Sequence, residues 1–212
     1  MNPLPFAIGI PTVCRHDLLN EAIDFYSQSL PDVTFFIANN NEQNFYPREN
    51  IHSDINILNN NRNLGVAESW NQLCKYIFFR GFDYALILND DVILKNDQQS
   101  ITKIIESNST ADFIQCSEDY AMFILPNRTY KKVGAFDKRF YPAYFEDNDY
   151  NARLIQNKCK IVVESAIEFI KFSRSMSIKM KPELNNNFEQ NKRKYIEKWG
   201  GEPGKEKIII TI

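Results

Sequence analysis

Two groups of neighbouring carboxylates are the side chains of this sequence best suited to chemistry. In the first, Asp90 and Asp91 follow Asn89 at the end of an apolar run that begins at Tyr84. Burying two adjacent carboxylates is costly unless a cation or a hydrogen-bond network compensates their charge, and hard oxygen ligands suit Mg²⁺ or Mn²⁺. Because Mg²⁺ often binds through one or two carboxylates plus substrate phosphates, this segment predicts a metal-assisted site for a phosphorylated substrate. A strand that ends in a polar turn is the alternative interpretation.

The second group, Glu146, Asp147 and Asp149, falls in the first turn of a predicted helix. The helix macrodipole favours negative charge there, so we expect these carboxylates to be ionised near neutral pH, and an ionised carboxylate can serve as a general base. Helix capping is the alternative, although one acidic residue would suffice for it. The preceding loop is rich in aromatic side chains, whose faces pack against sugar C–H surfaces: Phe140, Tyr141, Tyr144 and Phe145. Together these features favour a sugar site.

Short apolar strands alternate with amphipathic helices along the first half of the chain. We predict strands at residues 6–10, 33–38, 55–58 and from residue 84, and helices at 17–30 and 66–79. This alternation indicates an α/β fold with a mainly parallel sheet, in which ligands bind beyond the carboxyl ends of the strands. The polar loops at residues 11–16, 39–41, 59–65 and 89–91 would all lie on that edge.

The second half is predicted to contain more helices and strands around a turn region at residues 134–142. Helices are expected near residues 101–105, 146–157 and 184–199, and strands at 112–116, 120–125 and 160–164. The chain ends in an apolar segment, residues 207–212, that reads as a strand without a polar tail. We therefore allow for further domains C-terminal to Ile212.

Composition restricts the classes of protein. A chain of 212 residues fits one domain, and its net charge of -2 offers no general attraction to nucleic acid or to an anionic membrane. The longest apolar runs fall short of the roughly 20 residues that a membrane span needs. The cysteines show no C-x-x-C spacing, which favours core thiols and a reducing, cytoplasmic location: Cys14, Cys74, Cys116 and Cys159.

Several common active-site patterns are missing from the sequence. It has no P-loop, no G-x-G-x-x-G fingerprint and no Ser-His-Asp order, and His16 and His52 lack partners at metal-ligand spacing. Asn63-Leu-Gly65 forms a turn directly before a helix, where backbone N–H groups favour an anion and Arg62 adds positive charge. A loop that simply needs a flexible residue would look the same.

Five motifs, taken together, resemble the GT-A glycosyltransferases, and most closely their family 2 group. The motifs follow one another over roughly residues 5 to 175, and they are Ile10-Pro-Thr12, Asn63-Leu-Gly65 with Asn71, Leu88-Asn-Asp-Asp-Val92, Gly134-Ala-Phe-Asp137, and Phe145-Glu-Asp-Asn-Asp149 with Arg153. The compact, Asn-rich domain is also similar to glycosyltransferase domains of large DNA viruses of the chlorella virus type, which would place it in the host cytoplasm.

The resemblance implies roles for residues of the first half. Asn89-Asp-Asp91 matches the DxD-type motif, with Asn89 in place of the usual first aspartate, Asp91 on the metal and Asp90 near the ribose or metal. The other residues expected to bind the nucleotide sugar are Pro11, Thr12, Asn39, Arg62, Asn63 and Gly65. The expected cofactor is Mn²⁺ or Mg²⁺.

In the second half, Asp147 resembles the catalytic base and Glu146 an acceptor-binding partner, alongside Tyr144 and Phe145. Many relatives carry a metal-binding histidine near residue 171, where this chain has Lys171 and Phe172. Metal binding is then weaker, or Lys171 and Arg174 supply positive charge to the diphosphate directly.

The expected protein is a single GT-A domain over residues 1–212, with a nucleotide-binding half at 1–94 and an acceptor-binding half at 95–212. It would transfer a hexose or deoxyhexose from a nucleotide-diphosphate sugar, most simply UDP-linked, to a hydroxyl of a glycan or glycoprotein, with inversion. One alternative is a weakened domain that only binds glycans or nucleotide sugars. Another is a sugar-nucleotide nucleotidyltransferase, which would need a Gly-rich basic loop that residues 11–15 do not provide.

Overall fold

The structure, a computed structural model, describes residues 5–48, 54–117, 119–171 and 184–207. The strands are β1 (Phe6–Thr12), β2 (Phe35–Asn39), β3 (Ile55–Asn59), β4 (Tyr84–Leu88), β5 (Val92–Leu94), β6 (Phe113–Gln115), β7 (Met122–Pro126), β8 (Ile161–Val163) and β9 (Phe169–Lys171). The helices are α1 (His16–Ser29), α2 (Val66–Phe79), α3 (Gln98–Ser107), α4 (Asn127–Val133), α5 (Glu146–Gln156) and α6 (Leu184–Trp199), with a 3₁₀ turn at Lys138–Phe140.

A seven-stranded sheet organises the protein, in the order β3-β2-β1-β4-β7-β6-β8. Strands β1, β2, β3 and β4 run parallel, whereas β7 runs antiparallel to both of its neighbours. A second sheet pairs β5 with β9 in antiparallel fashion. This arrangement confirms the predicted α/β fold with a mainly parallel central sheet flanked by helices.

Alternating side chains of the central strands form a core on each face of the sheet. Phe6, Ile8 and Ile10 of β1 point to one face, where α1 and α3 cover them. Ala7 of β1 and Ile87 of β4 point to the other face, where they pack with α2 and α5. Because side chains alternate along a strand, burial on both faces explains why these strands are continuously apolar.

The parallel strands bring their polar ends to one edge of the sheet. Thr12 at the end of β1 pairs in register with Asn39 at the end of β2, and Asn39 pairs with Asn59 at the end of β3. β4 lies on the other side of β1 and runs directly into Asn89-Asp-Asp91. The loops named in the sequence analysis therefore meet, as predicted, beyond the carboxyl ends of the strands.

Some elements differ from the sequence predictions. Helix α4 was not predicted, because its seven residues are too few to show helical periodicity. Strand β2 begins at Phe35 rather than at residue 33, and β8 is limited to three residues. The predicted final strand falls largely outside the described residues, as do His52 and Arg174.

Two expectations from composition were checked on the described residues. No disulfide joins the four cysteines, as predicted. Among the described helices, none combines the length and the apolar character that crossing a membrane requires.

The close contact between β1 and α2 predicts that Gly9 cannot be enlarged. A Cβ atom there would lie 2.8 Å from Ile87 Cδ1 and 3.2 Å from Leu73 Cβ. We expect Gly9→Val to lower the free energy of unfolding by about 1–3 kcal/mol through overpacking. Urea denaturation would measure this, and Ala166→Leu, which adds three carbons at an exposed loop position, is the control. Equal stability of the two variants would contradict the packing.

Candidate functional site

A cavity of about 730 Å³ opens at the carboxyl edge of the sheet. One wall comes from the strand ends and their loops, and the facing wall from the loop before α5, from α5 itself, and from α6 with the segment that follows it. Eleven of the predicted site residues line this cavity: Pro11, Thr12, Asn63, Gly65, Asn89, Asp90, Asp91, Tyr144, Phe145, Glu146 and Asp147.

Asp90 and Asp91 lie on the strand-end wall. The hydroxyl of Thr12 donates a hydrogen bond to Asp90 Oδ2 at 2.7 Å, which ties the end of β1 to the end of β4. Burial, together with the negative charge of Asp91, raises the pKa of Asp90 to about 6, although the Thr12 hydrogen bond and the charge of Arg15 act in the opposite direction.

Arg15 is a cavity residue that the sequence analysis missed. Its Nε and Nη2 donate to the Asp17 carboxylate at 2.9 and 2.7 Å, which fixes the guanidinium at the start of α1. Its Nη1 is buried and has no hydrogen-bond partner in the structure. A basic residue in the loop after the first strand was the available signal, because that loop was already placed at the ligand-binding edge.

The donor set at this wall fits a divalent cation that is also held by substrate. In the described part of the chain, no group of three or more His, Cys, Asp and Glu side chains is placed to hold a metal. Mg²⁺ and Mn²⁺ accept oxygen ligands, and Mg²⁺ commonly takes only one or two carboxylates plus phosphate oxygens. Asp90 and Asp91 can supply such carboxylates, and they lie half-buried and buried, respectively, at the carboxyl end of β4.

The facing wall carries the second acidic pair on a strained turn. Tyr144 and Phe145 are non-glycine residues with φ of +78° and +72°, a left-handed conformation that costs free energy and is typically found at functional sites. The turn delivers Glu146 and Asp147 to the cavity at the start of α5. Asp147 is half-buried, and its Oδ1 accepts a hydrogen bond from the Asn148 backbone N–H at 2.8 Å.

Burial opposes the ionisation that the helix start was expected to favour for Glu146 and Asp147. Glu146 is only 6% exposed and its Oε2 has no hydrogen-bond partner, so burial raises its pKa well above the ordinary value, and the neighbouring charge of Asp147 adds to the rise. Burial also raises the pKa of Asp147. Desolvation outweighs the helix macrodipole because the turn buries both groups instead of leaving them in water. Asp119 also lines the cavity and was not predicted from the sequence. Its negative charge makes a smaller contribution to the raised pKa of Asp147 than burial does.

Asp149, the third acid of this cluster, anchors α5 and does not line the cavity. It is fully buried, and its oxygens accept from Arg153 Nε at 2.9 Å and from Trp199 Nε1 at 2.9 Å, with Lys198 Nζ at 2.5 Å. Its position at the fourth residue of α5, next to Arg153 one turn later, gives it a structural role.

Two N–H groups of the turn before α2, where the sequence suggested an anion site, are bonded within the protein. The N–H of Gly65 donates to Asn63 Oδ1 at 2.9 Å, and the N–H of Val66 donates to Pro142 O at 2.8 Å. A Cβ on Gly65, whose φ is +78°, would lie 2.8 Å from Pro142 O, so only glycine allows this approach. The glycine therefore holds the two walls of the cavity together.

Asn71 links α2 to the segment before the 3₁₀ turn. Its Oδ1 accepts from the Phe136 N–H at 2.7 Å and its Nδ2 donates to Phe136 O at 2.9 Å. These two hydrogen bonds from side chain to backbone fix the Gly134–Asp137 segment on α2. They connect the motif that contains Asn71 with the motif at residues 134–137.

Two of the predicted site residues that the structure describes, Asn39 and Arg62, do not line the cavity. Asn39 is fully buried, and its amide bonds to His16, Gln43 and Asn59; Asn40 faces the cavity in its place. The shift by one residue follows from the alternation of side chains at the end of a strand. Arg62 is exposed. The backbone of Lys171 pairs with that of Val92 in the small sheet.

The fold resembles those of two solved structures. Over 90% of this chain and 98% of the other, the fold matches a Desulfovibrio desulfuricans G20 protein provisionally described as a nucleotide-diphospho-sugar transferase, with a TM-score of 0.52 and 9% identity. Over 82% of this chain and 38% of the other, it matches S. aureus TarS, with a TM-score of 0.57 and 11% identity. No family model and no curated protein matches the sequence. The fold is thus that of the nucleotide-diphospho-sugar transferases, in agreement with the GT-A architecture expected from the motifs.

The burial of Glu146 predicts a pH-dependent stability. Because its pKa is raised in the folded state, its stabilising contribution is fully present below the ordinary pKa of a glutamate and is lost as the pH rises through the folded-state pKa. Glu146→Gln keeps the side chain neutral at every pH. Urea denaturation measures the free energy of unfolding of this variant and of the wild type. We expect the variant to be more stable, relative to the wild type, at pH 8 than at pH 5.

The control for this prediction is Glu21→Gln, the same chemical change on the exposed side of α1. It measures how far the substitution itself alters stability at the two pH values. A difference between Glu146→Gln and wild type that is the same at pH 5 and pH 8 would contradict the burial of a carboxyl with a raised pKa.

Proposed function

We propose that this protein is a glycosyltransferase that moves a sugar from a nucleotide-diphosphate donor to a hydroxyl of an acceptor. The observation that carries the proposal is the presence of two acidic pairs in the lining of one cavity, Asp90 with Asp91 and Glu146 with Asp147. One pair suits a cation and a diphosphate, and the other suits removal of a proton. The fold, which is that of nucleotide-diphospho-sugar transferases, supports the same conclusion.

The strand-end wall is the proposed donor side. Pro11 and Thr12 lie against the nucleotide, Arg15 directs a buried N–H group toward it, and Asn40 lies where Asn39 was expected to read the base. We propose Mn²⁺ or Mg²⁺ as the cofactor, held by Asp91 and Asp90 together with the diphosphate. Bound there, the cation would neutralise the charge of the leaving diphosphate. The proposed donor is UDP-linked, and its sugar is a hexose or deoxyhexose.

Asp147 is the proposed general base. It is half-buried and its raised pKa lies nearer to the operating pH than that of an exposed aspartate, which suits a base that must accept and then release a proton. Glu146 is more deeply buried and favours its neutral form, so it is better suited to donate a hydrogen bond to the acceptor. Attack of the acceptor hydroxyl, deprotonated by Asp147, on the anomeric carbon would invert its configuration.

The first prediction of this proposal concerns the metal. Asp91→Ala should weaken UDP binding in the presence of Mn²⁺ by about tenfold or more, corresponding to about 1.4 kcal/mol or more, because a carboxylate at the cation is lost. Isothermal titration calorimetry measures the affinity, and Asp91→Asn, which keeps the size of the side chain, controls for folding. If the wild type binds UDP equally well in EDTA and in Mn²⁺, the metal role is wrong.

The second prediction separates the two acids at the start of α5. Asp147→Asn should lower kcat by about 10² to 10⁴ with little change in donor affinity, the loss expected for a general base. Glu146→Gln should mainly raise the KM for the acceptor. Steady-state kinetics on both variants measures the two parameters. Normal turnover of Asp147→Asn, together with an inactive Glu146→Gln, would reverse the assignment, and activity of both would remove the acidic pair from the mechanism.

A further inference from the structure

Helix α6 contributes a wall of the cavity that is separate from the donor side. Phe188 and Lys192 lie one turn apart on α6 and both line the cavity, as do Glu202 and Pro203 from the segment after the helix. Phe188 contacts Tyr144 and Phe145 of the turn that carries Glu146, whereas the expected diphosphate site lies on the strand-end wall. The wall formed by α6 therefore faces the place where the proposed base acts.

The wall is held in place by buried contacts. Asn191 is fully buried, and its Nδ2 donates to the backbone oxygen of Ala143 at 2.8 Å, with longer contacts to those of Tyr141 and Tyr144. Its Oδ1 accepts from Lys194 Nζ at 3.0 Å. Helix α6 thus supports the strained turn directly, so the position of its cavity-facing side chains is coupled to the position of the acids.

Phe188 offers an aromatic face at this wall. Its ring packs edge-on against Tyr144, with centroids 5.3 Å apart, and lies tilted against Phe145, with centroids 5.1 Å apart. Even so, 41% of the Phe188 surface is exposed. An aromatic ring that is fixed by its neighbours but open on one side is suited to pack against the C–H face of a sugar ring.

Lys192 and Glu202 place a donor next to an acceptor beside this ring. Lys192 Nζ and Glu202 Oε1 are 2.9 Å apart, and both side chains remain partly exposed. The segment that carries Glu202 has a fixed shape, because a Cβ on Gly201 would lie 1.9 Å from Lys205 O and the Tyr195 hydroxyl donates to Glu206. An ion pair offers a hydrogen-bond donor and an acceptor side by side, so it can bind hydroxyl groups, which both donate and accept hydrogen bonds.

The charges around this wall disfavour an anionic acceptor. The positive charge of Lys192 is already balanced by Glu202, and two further acids that line the cavity, Asp119 and Asp147, would repel a carboxylate or phosphate whenever they are ionised. The combination of an open aromatic face, a paired donor and acceptor, and no excess positive charge suits a neutral sugar.

We propose that α6 and the segment after it form the acceptor subsite, in which Phe188 packs against the face of a neutral sugar ring while Lys192 and Glu202 hydrogen-bond to its hydroxyls. This assignment rests on the proposed function and adds the class of acceptor and the residues that select it. It also makes these three residues specificity determinants, because none of them lies on the strand-end wall.

Binding of simple glycosides tests the subsite without requiring turnover. Methyl glycosides of glucose, galactose, mannose and N-acetylglucosamine, and methyl glucuronide as the anionic probe, would be titrated by saturation-transfer difference NMR in the presence of UDP and Mn²⁺. We expect at least one neutral glycoside to bind more tightly than the glucuronide. Phe188→Ala, and Lys192→Met combined with Glu202→Gln, should each weaken its binding about tenfold while UDP affinity, measured by calorimetry, stays unchanged.

The control variants are Phe79→Ala, at an 85% exposed aromatic on α2, and Lys103→Ala, at an exposed lysine on α3. Both should bind the glycoside like the wild type, and Phe188→Tyr should restore binding. The acceptor subsite is overturned if the wild type prefers the glucuronide or binds no neutral glycoside, or if the α6 variants bind as tightly as the controls. Failure of UDP to bind the wild type would instead count against the proposed function, and the glycoside titration would still decide on the subsite.

Discussion

The charge of Asp90 and Asp91 at the end of β4 is the interaction on which the rest of the site depends. Two carboxylates at the edge of a buried strand repel each other, and the Thr12 hydroxyl and the charge of Arg15 favour the ionised form of Asp90 against its burial. The negative charge of an ionised pair favours a cation at the point where the parallel strands end. That point is also where α/β sheets bind their ligands, so fold and charge place the donor in the same location.

The wall that carries Glu146 and Asp147 depends on burial instead of on a cation. Removal of water from these two acids raises their pKa values, which suits the proposed proton transfer. A turn with two left-handed residues buries Glu146 and raises the pKa of Asp147. Such a turn is unstable alone, and hydrogen bonds from Asn191 and the ion pair of Asp149 with Arg153 hold it in place. Stability elsewhere in α5 and α6 thus offsets the strain and the buried acids that the chemistry needs.

Much of the fold and the rough location of the site could be predicted from the sequence. Apolar periodicity identified the strands and most helices, and the polar residues after each strand identified the edge. The features that could not be predicted depend on contacts between residues that are distant in the sequence. Asn191 and Ala143 are 48 positions apart, and the charge of Arg15, after β1, acts on Asp90, after β4. The pKa of Glu146 also required burial to be known, because the sequence shows only its place at a helix start. Asn40 instead of Asn39 is a shift of one residue, within the uncertainty of a predicted strand end.

The central claim is that one cavity holds a diphosphate and a cation at Asp91 and an acceptor at Asp147. A crystal structure of the protein with UDP and Mn²⁺, recorded at a wavelength where manganese scatters anomalously, tests it most directly. We predict an anomalous peak between the Asp91 carboxylate and the UDP diphosphate, with the uracil next to Asn40 and the space in front of Asp147 open to an acceptor. UDP bound outside this cavity, or a manganese peak remote from Asp91, would contradict the account.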